Sequence, residues 1–308
     1  MKVSILGRCD STLAVASEIC KSDIVSEVVL VDETRRLTRG VVHELEASFA
    51  LGGHDATISV SRTVSALTGS EVAILLSPSE RVSFYSSQSN RNTNLAFARH
   101  SAKQIKQYAP QVRILVAMPS ANFLAHMIHH ELDSEPGQVI GLSSSRAGAH
   151  LKHQIANRFG VSATDVAVMV IGSDDRILVL PQYCRISGIP IDQLLGDAQI
   201  HDLTVRINDW HRAPTHAESS HSLSMCLRQI VDAIGLDRRK IICVSTLIRA
   251  GASSVYLSVP AKIGSHGVEE IVKLELTDEQ LQHFSQMVSR SVANQRPKSG
   301  NQLRGLME

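Results

Sequence analysis

The stretch Lys2–Glu33 reads KVSILGRCDSTLAVASEICKSDIVSEVVLVDE, and its order of residue types decides the fold. Val3–Leu6 is a short apolar run rich in β-branched residues, which predicts a strand buried on both faces. Gly7 and a polar loop follow, then an amphipathic segment over Leu13–Lys21 and a second apolar run at Val28–Val31. Strand, helix and strand in that order predict a right-handed crossover and a parallel sheet. The pattern repeats outward, with strands predicted at Thr57–Val60, Val72–Leu76, Ile114–Ala117 and Val139–Leu142. Between them, helices are predicted over Arg36–Phe49, Asn90–Tyr108 and Ala121–Glu131, and Pro110 and Pro136 punctuate the chain after helices. Residues 1–142 are therefore expected to form an α/β domain, a parallel sheet with helices on both faces.

The second half, 143–308, changes character. A helix is predicted at His150–Arg158, followed by close strands at Ala167–Ile171 and Ile177–Leu180 with no crossover helix between them. Helices at Ile200–Arg212 and His216–Ile234, apolar runs at Ile241–Leu247 and Val255–Ile263, and a closing helix after Thr277 complete a mixed α+β domain. Thr277 and Gln280 have the spacing of a capping box. The tail from about residue 295 has no apolar period and is expected to be mobile.

Composition bounds the function. The 308 residues are 43% hydrophobic and 20% charged, with 31 Lys plus Arg against 30 Asp plus Glu, so no global field recruits nucleic acid or membrane. The chain opens with an apolar run too short for a signal segment, and no stretch of about 18 apolar residues occurs, which points to the cytoplasm. Five cysteines without a CxxC pair suit buried thiols in a reducing compartment.

A strand ending in glycine before a helix is where a Rossmann-type domain seats a dinucleotide pyrophosphate, on the N–H groups of the helix start. The expected spacing is G-x-G-x-x-G, and this chain reads Gly7, Arg8, Cys9, Asp10, Ser11, Thr12. Cys9 and Thr12 stand where backbone should approach phosphate or strand, and Asp10 adds a negative charge. Asp32 ends the second strand, where a carboxylate can accept the ribose hydroxyls of NAD. A strand-end turn residue is an equally good reading of Asp32.

Over Lys2 to about Val288 the chain resembles the malate and lactate dehydrogenase family, most closely its malate dehydrogenase-like members. The resemblance is carried by VVLVDE (Val28–Glu33), SAKQIKQYAP (Ser101–Pro110), QVIGLSSS (Gln138–Ser145), LPQYCRISGIPIDQLL (Leu180–Leu195) and VYLSVPAKIGSHGVEEIVKLELTDEQL (Val255–Leu281). It implies NAD-dependent hydride transfer on a 2-hydroxy acid, a dimer or tetramer of like chains, and a defined set of polar residues. Arg81 matches the loop arginine that pairs with a distal carboxylate. The carbonyl-polarising arginine falls on Ser87, and the cofactor- and substrate-contacting asparagine on Met118. The proton-relay aspartate falls on Ala147, the carboxylate-clamping arginine on His150 and the catalytic histidine on Asp174.

These replacements imply a lost dehydrogenase. An aspartate begins roughly 3.5 kcal/mol worse than histidine as a proton acceptor near neutral pH. Each lost transition-state contact costs about a hundredfold or more. The leading expectation is therefore a pseudoenzyme kept for a binding, regulatory or assembly role, with weak NAD binding, no metal, a homo-oligomeric state and an unidentified protein partner. The rival is an NAD-dependent oxidoreductase with a rearranged site. A third possibility is new chemistry built on His150 and Asp174, which are expected to pair and fill the substrate pocket.

Other features carry less. His126, His129 and His130 share one helix face at a spacing that can ligate a metal, but no Cys or carboxylate is positioned to complete a site, and an exposed helix end is the favoured reading. His211, His216 and His221 are looser, and Trp210 reads as a packing anchor. The serines of Ser77–Ser89 and Ser143–Ser145 read as solvated loop.

Overall fold

A computed structural model describes residues 1–33, 39–78, 88–212, 220–251 and 253–295. Six parallel strands form the first half: β1 (Lys2–Leu6), β2 (Glu27–Val31), β3 (Thr57–Ser61), β4 (Val72–Leu75), β5 (Arg113–Val116) and β6 (Val139–Gly141). Their spatial order is β3-β2-β1-β4-β5-β6. The order reverses between β1 and β4, which opens a crevice beyond the carboxyl ends of the strands. Alternate strand residues feed opposite faces. Val3, Ile5, Val28 and Leu30 enter a core that includes Ile19 of α1 (Ser11–Cys20) and Phe49 of α2 (Arg39–Gly52). Leu6, Val29, Val31 and Leu75 enter the opposite core with Ile105 of α3 (Gln88–Tyr108) and Leu124 of α4 (Ala121–Leu132). Burial on both faces is why β2 and β4 read as near-continuous apolar runs, whereas the edge strand β3, TISVS, alternates.

The second half contributes α5 (Ser145–Phe159), β7 (Val166–Ala167), β8 (Val170–Gly172), β9 (Ile177–Val179), β10 (Arg185–Ile186) and β11 (Ile189–Pro190). Then come α6 (Asp197–Arg212), α7 (Ser220–Gly235), β12 (Lys240–Ala250), β13 (Ser253–Gly264), β14 (Gly267–Ile271) and α8 (Asp278–Gln295). β12 joins β6 antiparallel through Ser245 and Gly141, so the main sheet runs on through β12, β13, β8 and β9. Leu151, Val179 and Ile207 centre a third core around α5 and α6.

Two expectations change. The strand predicted at Ala167–Ile171 is two strands, because Val166–Ala167 pairs with β10 in a small sheet while Val170–Gly172 pairs with β13 and β9 in the large one. The helix predicted from His150 begins a full turn earlier, at Ser145. The capping box forms as expected: the Gln280 N–H donates to Thr277 Oγ1 at 3.3 Å and the Thr277 N–H to Gln280 Oε1 at 3.1 Å.

Candidate functional site

Two places at the carboxyl ends of the parallel strands bear on function. The first is the β1–α1 loop. Gly7 sits at φ +109°, and a Cβ there would lie 2.1 Å from the Leu76 carbonyl oxygen. The glycine is therefore required by the close passage of this loop over the end of β4, where the Arg8 N–H also donates to the Ser77 carbonyl at 2.8 Å. The Cys9 N–H donates to Thr12 Oγ1 at 3.0 Å, and the Thr12 N–H returns to the Cys9 carbonyl at 2.9 Å. Thr12 is buried. Asp32 is buried at the end of β2, its N–H donating to the Ser61 carbonyl at 2.9 Å.

These contacts test the loop as a seat for NAD. The start of α1 and the position of Asp32 suit a dinucleotide, but two loop amides are already bonded within the loop, and Asp10 adds charge of the wrong sign at the helix start. The cradle is a poor fit for a pyrophosphate.

The second place is a cavity of about 260 Å³. Ala117, Met118 and Pro119 at the end of β5 and Leu142 and Ser143 at the end of β6 form one side. Arg146 of α5, Trp210 and His211 of α6 and Arg91 of α3 form another, and Asp174 and Asp175 complete the wall. Asp174 is presented by the tight β8–β9 turn. Gly172 holds φ +145°, and its Cβ would lie 2.4 Å from the Arg176 carbonyl oxygen. The Ser173 N–H donates to that same oxygen at 2.7 Å.

The Asp174 carboxylate accepts from the Asn122 N–H at 3.1 and 3.2 Å and from the Phe123 N–H at 3.4 Å. These are amides of the first turn of α4. The helix-capping residue Ser120 gives them no side-chain hydrogen bond, so Asp174 caps α4 from across the cavity. Burial pushes its pKa up to about 6 in spite of those hydrogen bonds. Met118 is buried, and its side chain offers the cavity wall no hydrogen-bond donor.

The expected His150–Asp174 pair does not form. His150 lies flat against Trp210, ring centroids 4.3 Å apart at an interplanar angle of 15°, with Gln154 Nε2 3.0 Å from its Nε2. Stacking on the indole and capping of α4 satisfy the two side chains separately. Trp210 is accordingly more than a packing anchor, because it forms cavity wall as well. Arg81 and Ser87 lie outside the described residues.

Sequence reasoning missed two cavity residues. Arg146 is buried, with its guanidinium carbon 5.8 Å from the centre of the Trp210 ring. Burial draws its pKa down to about 10. It stands four residues before His150, one helical turn away on the same face, a relation hidden when α5 is started at His150. His211 brings its Nε2 to 3.1 Å from the Asp174 carbonyl oxygen, which fixes the tautomer with the proton on Nε2. Burial is the largest influence on His211 and draws its pKa down, against hydrogen bonds to the Ser173 and Asp174 backbone that raise it.

Comparison with known families decides the kinship. Residues 1–141 match the model of the lactate/malate dehydrogenase NAD binding domain, and residues 145–294 match that of the lactate/malate dehydrogenase alpha/beta C-terminal domain. The chain belongs to the lactate/malate dehydrogenase family. A malate dehydrogenase of Thermomicrobium roseum is 28% identical over 285 residues, covering 91% of this chain and 92% of that protein. One from Anaplasma marginale is 25% identical over 300 residues, with 93% and 94% covered. Among solved structures, the apo malate dehydrogenase from Picrophilus torridus superposes with a TM-score of 0.85 at 23% identity, covering 96% of each chain. The lactate dehydrogenase from Eimeria maxima with NADH and oxamate gives a TM-score of 0.85 at 20% identity, covering 96% of this chain and 93% of that one. In this lactate/malate dehydrogenase family member, the cavity lies at the carboxyl ends of β5 and β6, beside the crevice where open α/β sheets bind ligands.

The His126, His129 and His130 cluster is packed rather than arrayed for a metal. His126 is buried, its ring edge-on to His130 at 4.4 Å, and His129 Nδ1 lies 2.7 Å from Ser134 Oγ. No group of three or more metal-ligating side chains occurs among the described residues. No described helix is long and apolar enough to cross a membrane.

Proposed function

We propose that this chain is a ligand-binding member of the lactate/malate dehydrogenase family that has given up hydride transfer. The observation carrying this reading is the engagement of Asp174. At the position that the family resemblance assigns to the proton acceptor stands a carboxylate that is held by the amides of Asn122 and Phe123 at the start of α4. The β1–α1 loop agrees with this, since a cofactor held by few phosphate contacts binds weakly.

The second reading, an NAD-dependent oxidoreductase with a rearranged site, is favoured by His211, which brings an imidazole of lowered pKa into the same cavity from α6. With Nε2–H donating to the Asp174 carbonyl, Nδ1 is the nitrogen that can take a proton. The two readings separate on turnover, followed as NADH oxidation with oxaloacetate, pyruvate and other 2-oxo acids. The binding reading expects no rate above the protein-free blank at micromolar protein. Robust oxidation that His211→Gln abolishes would establish the oxidoreductase instead.

A further inference from the structure

A second cavity, of about 280 Å³, lies in the C-terminal half and shares no residue with the first. Ile248 of β12 and Val259 of β13 line it from the large sheet, and Phe284 lines it from α8. A further wall is the chain between β14 and α8, where Val272, Leu274 and Leu276 line the space while Lys273 and Glu275 between them are exposed. That alternation is the period of an extended strap with one face turned inward. The strap is fastened through its backbone. The Val272 N–H donates to the Pro260 carbonyl at 2.9 Å, the Glu275 N–H to Tyr183 Oη at 2.9 Å, and the Tyr183 hydroxyl to the Glu275 carbonyl at 3.2 Å. Held at both places, the three inward side chains stand at the cavity without filling it. An apolar void forfeits the dispersion contacts of its lining, and one of about 150 Å³ is already large enough to take up benzene.

One lining residue departs from this pattern. Arg249, next to Ile248 on β12, borders the same space, and every other described lining residue is apolar. Arg249 is exposed and forms no hydrogen bond or ion pair with another described residue. No described acidic side chain lines the cavity. An apolar body with one cation on its solvent side is the complement of an amphiphile with a hydrocarbon tail and a single anionic head. We propose that this cavity binds a medium-chain monocarboxylate, with the tail between strap and sheet and the carboxylate on Arg249. The planar guanidinium matches a carboxylate with two parallel hydrogen bonds. An ion pair at an exposed position contributes little by itself, so the tail supplies most of the affinity and the head fixes the orientation.

This site is independent of the reading of the first cavity, and its test uses neither a nicotinamide cofactor nor a hydroxy acid. Butyrate, hexanoate, octanoate and octanol are titrated by calorimetry into the unaltered protein, Arg249→Gln and Leu274→Trp. Affinity is expected to rise about fourfold with each methylene added between butyrate and octanoate, the value for burying one such group. Arg249→Gln should weaken octanoate by about threefold to fivefold, the range of an exposed charge pair, and leave octanol unchanged. Leu274→Trp places an indole in the space and should abolish octanoate binding. Circular dichroism checks that each variant is folded. If Leu274→Trp does not fold, the chain-length series and Arg249→Gln, a change at an exposed position, decide. The proposal is overturned if octanoate does not bind or binds no better than butyrate. It is equally overturned if Arg249→Gln leaves octanoate unchanged or weakens octanol as much, or if folded Leu274→Trp still binds octanoate.

Discussion

The β1–α1 loop and the cavity beyond β5 and β6 lie at the same end of the parallel sheet, and they use their polar groups in opposite ways. In the loop, the polar groups satisfy one another. Thr12 takes the amide of Cys9, and the surviving glycine is held by its passage over β4. In the cavity, the polar groups frame an open volume with a buried guanidinium and an imidazole whose pKa burial draws down. One set of polar groups thus closes on itself, and the other borders open space. The difference lies in the backbone. The loop amides could be reached by a short local side chain, whereas the cavity is framed by α4, α5, α6 and the β8–β9 turn and cannot collapse without moving all of them.

The comparison breaks most visibly at Gly7. If its role is packing, Gly7→Ala should destabilise the protein by about 3 kcal/mol or more in urea unfolding, because a Cβ would meet the Leu76 carbonyl while the backbone is held at positive φ. A loss under about 1 kcal/mol would mean that the loop relaxes freely and that the glycine is a relic of phosphate binding.

The next effect contrasts cavity-lining Asp174 with His126, which is buried elsewhere on α4 against His130 and Tyr256, through pH. His126 is buried, and its pKa is drawn down to about 4 by burial first and then by His130 and His129. Its folded value lies below the unfolded value near 6.5, so the unfolded chain binds the extra proton and stability falls as pH drops from 6.5 to 4. Asp174 runs the other way. Its folded pKa, about 6, lies above the unfolded value near 3.8, so its contribution is full below 3.8 and is lost as pH rises through 6. Denaturant midpoints taken from pH 4 to 7 should therefore rise more steeply with pH in Asp174→Asn than in the unaltered protein, and less steeply in His126→Leu. Equal slopes in all three proteins would remove the electrostatic account of both residues.

Much of the scaffold was legible in residues such as Val3, Ile5, Val28 and Leu30, because strands buried on both faces leave uninterrupted apolar runs. The break at Val168–Met169 was not legible, since both halves are apolar and only pairing partners separate them. At the site, the family resemblance pointed to Met118, His150 and Asp174, of which Met118 and Asp174 line the cavity, but it did not point to Arg146 or His211. Arg146 fell before the predicted helix start, so its one-turn relation to His150 was invisible. His211 lies 37 residues from Asp174 in sequence and meets it only through the packing of α6 against the β8–β9 turn. A scan of each helix for charged residues four positions from a lost functional one would have found Arg146. No comparable local signal marks His211.

The proposal that the β1–α1 loop holds NAD only weakly is tested most directly by titrating NADH against the unaltered protein and Thr12→Gly while following nicotinamide fluorescence. Removing the Thr12 hydroxyl frees the Cys9 amide for a phosphate. One recovered hydrogen bond near 1.4 kcal/mol corresponds to about tenfold in affinity. The expected result is a dissociation constant no tighter than the high micromolar range for the unaltered protein, on the order of −5 to −6 kcal/mol, and an approximately tenfold improvement in Thr12→Gly. Sub-micromolar binding by the unaltered protein, unchanged by Thr12→Gly, would contradict it.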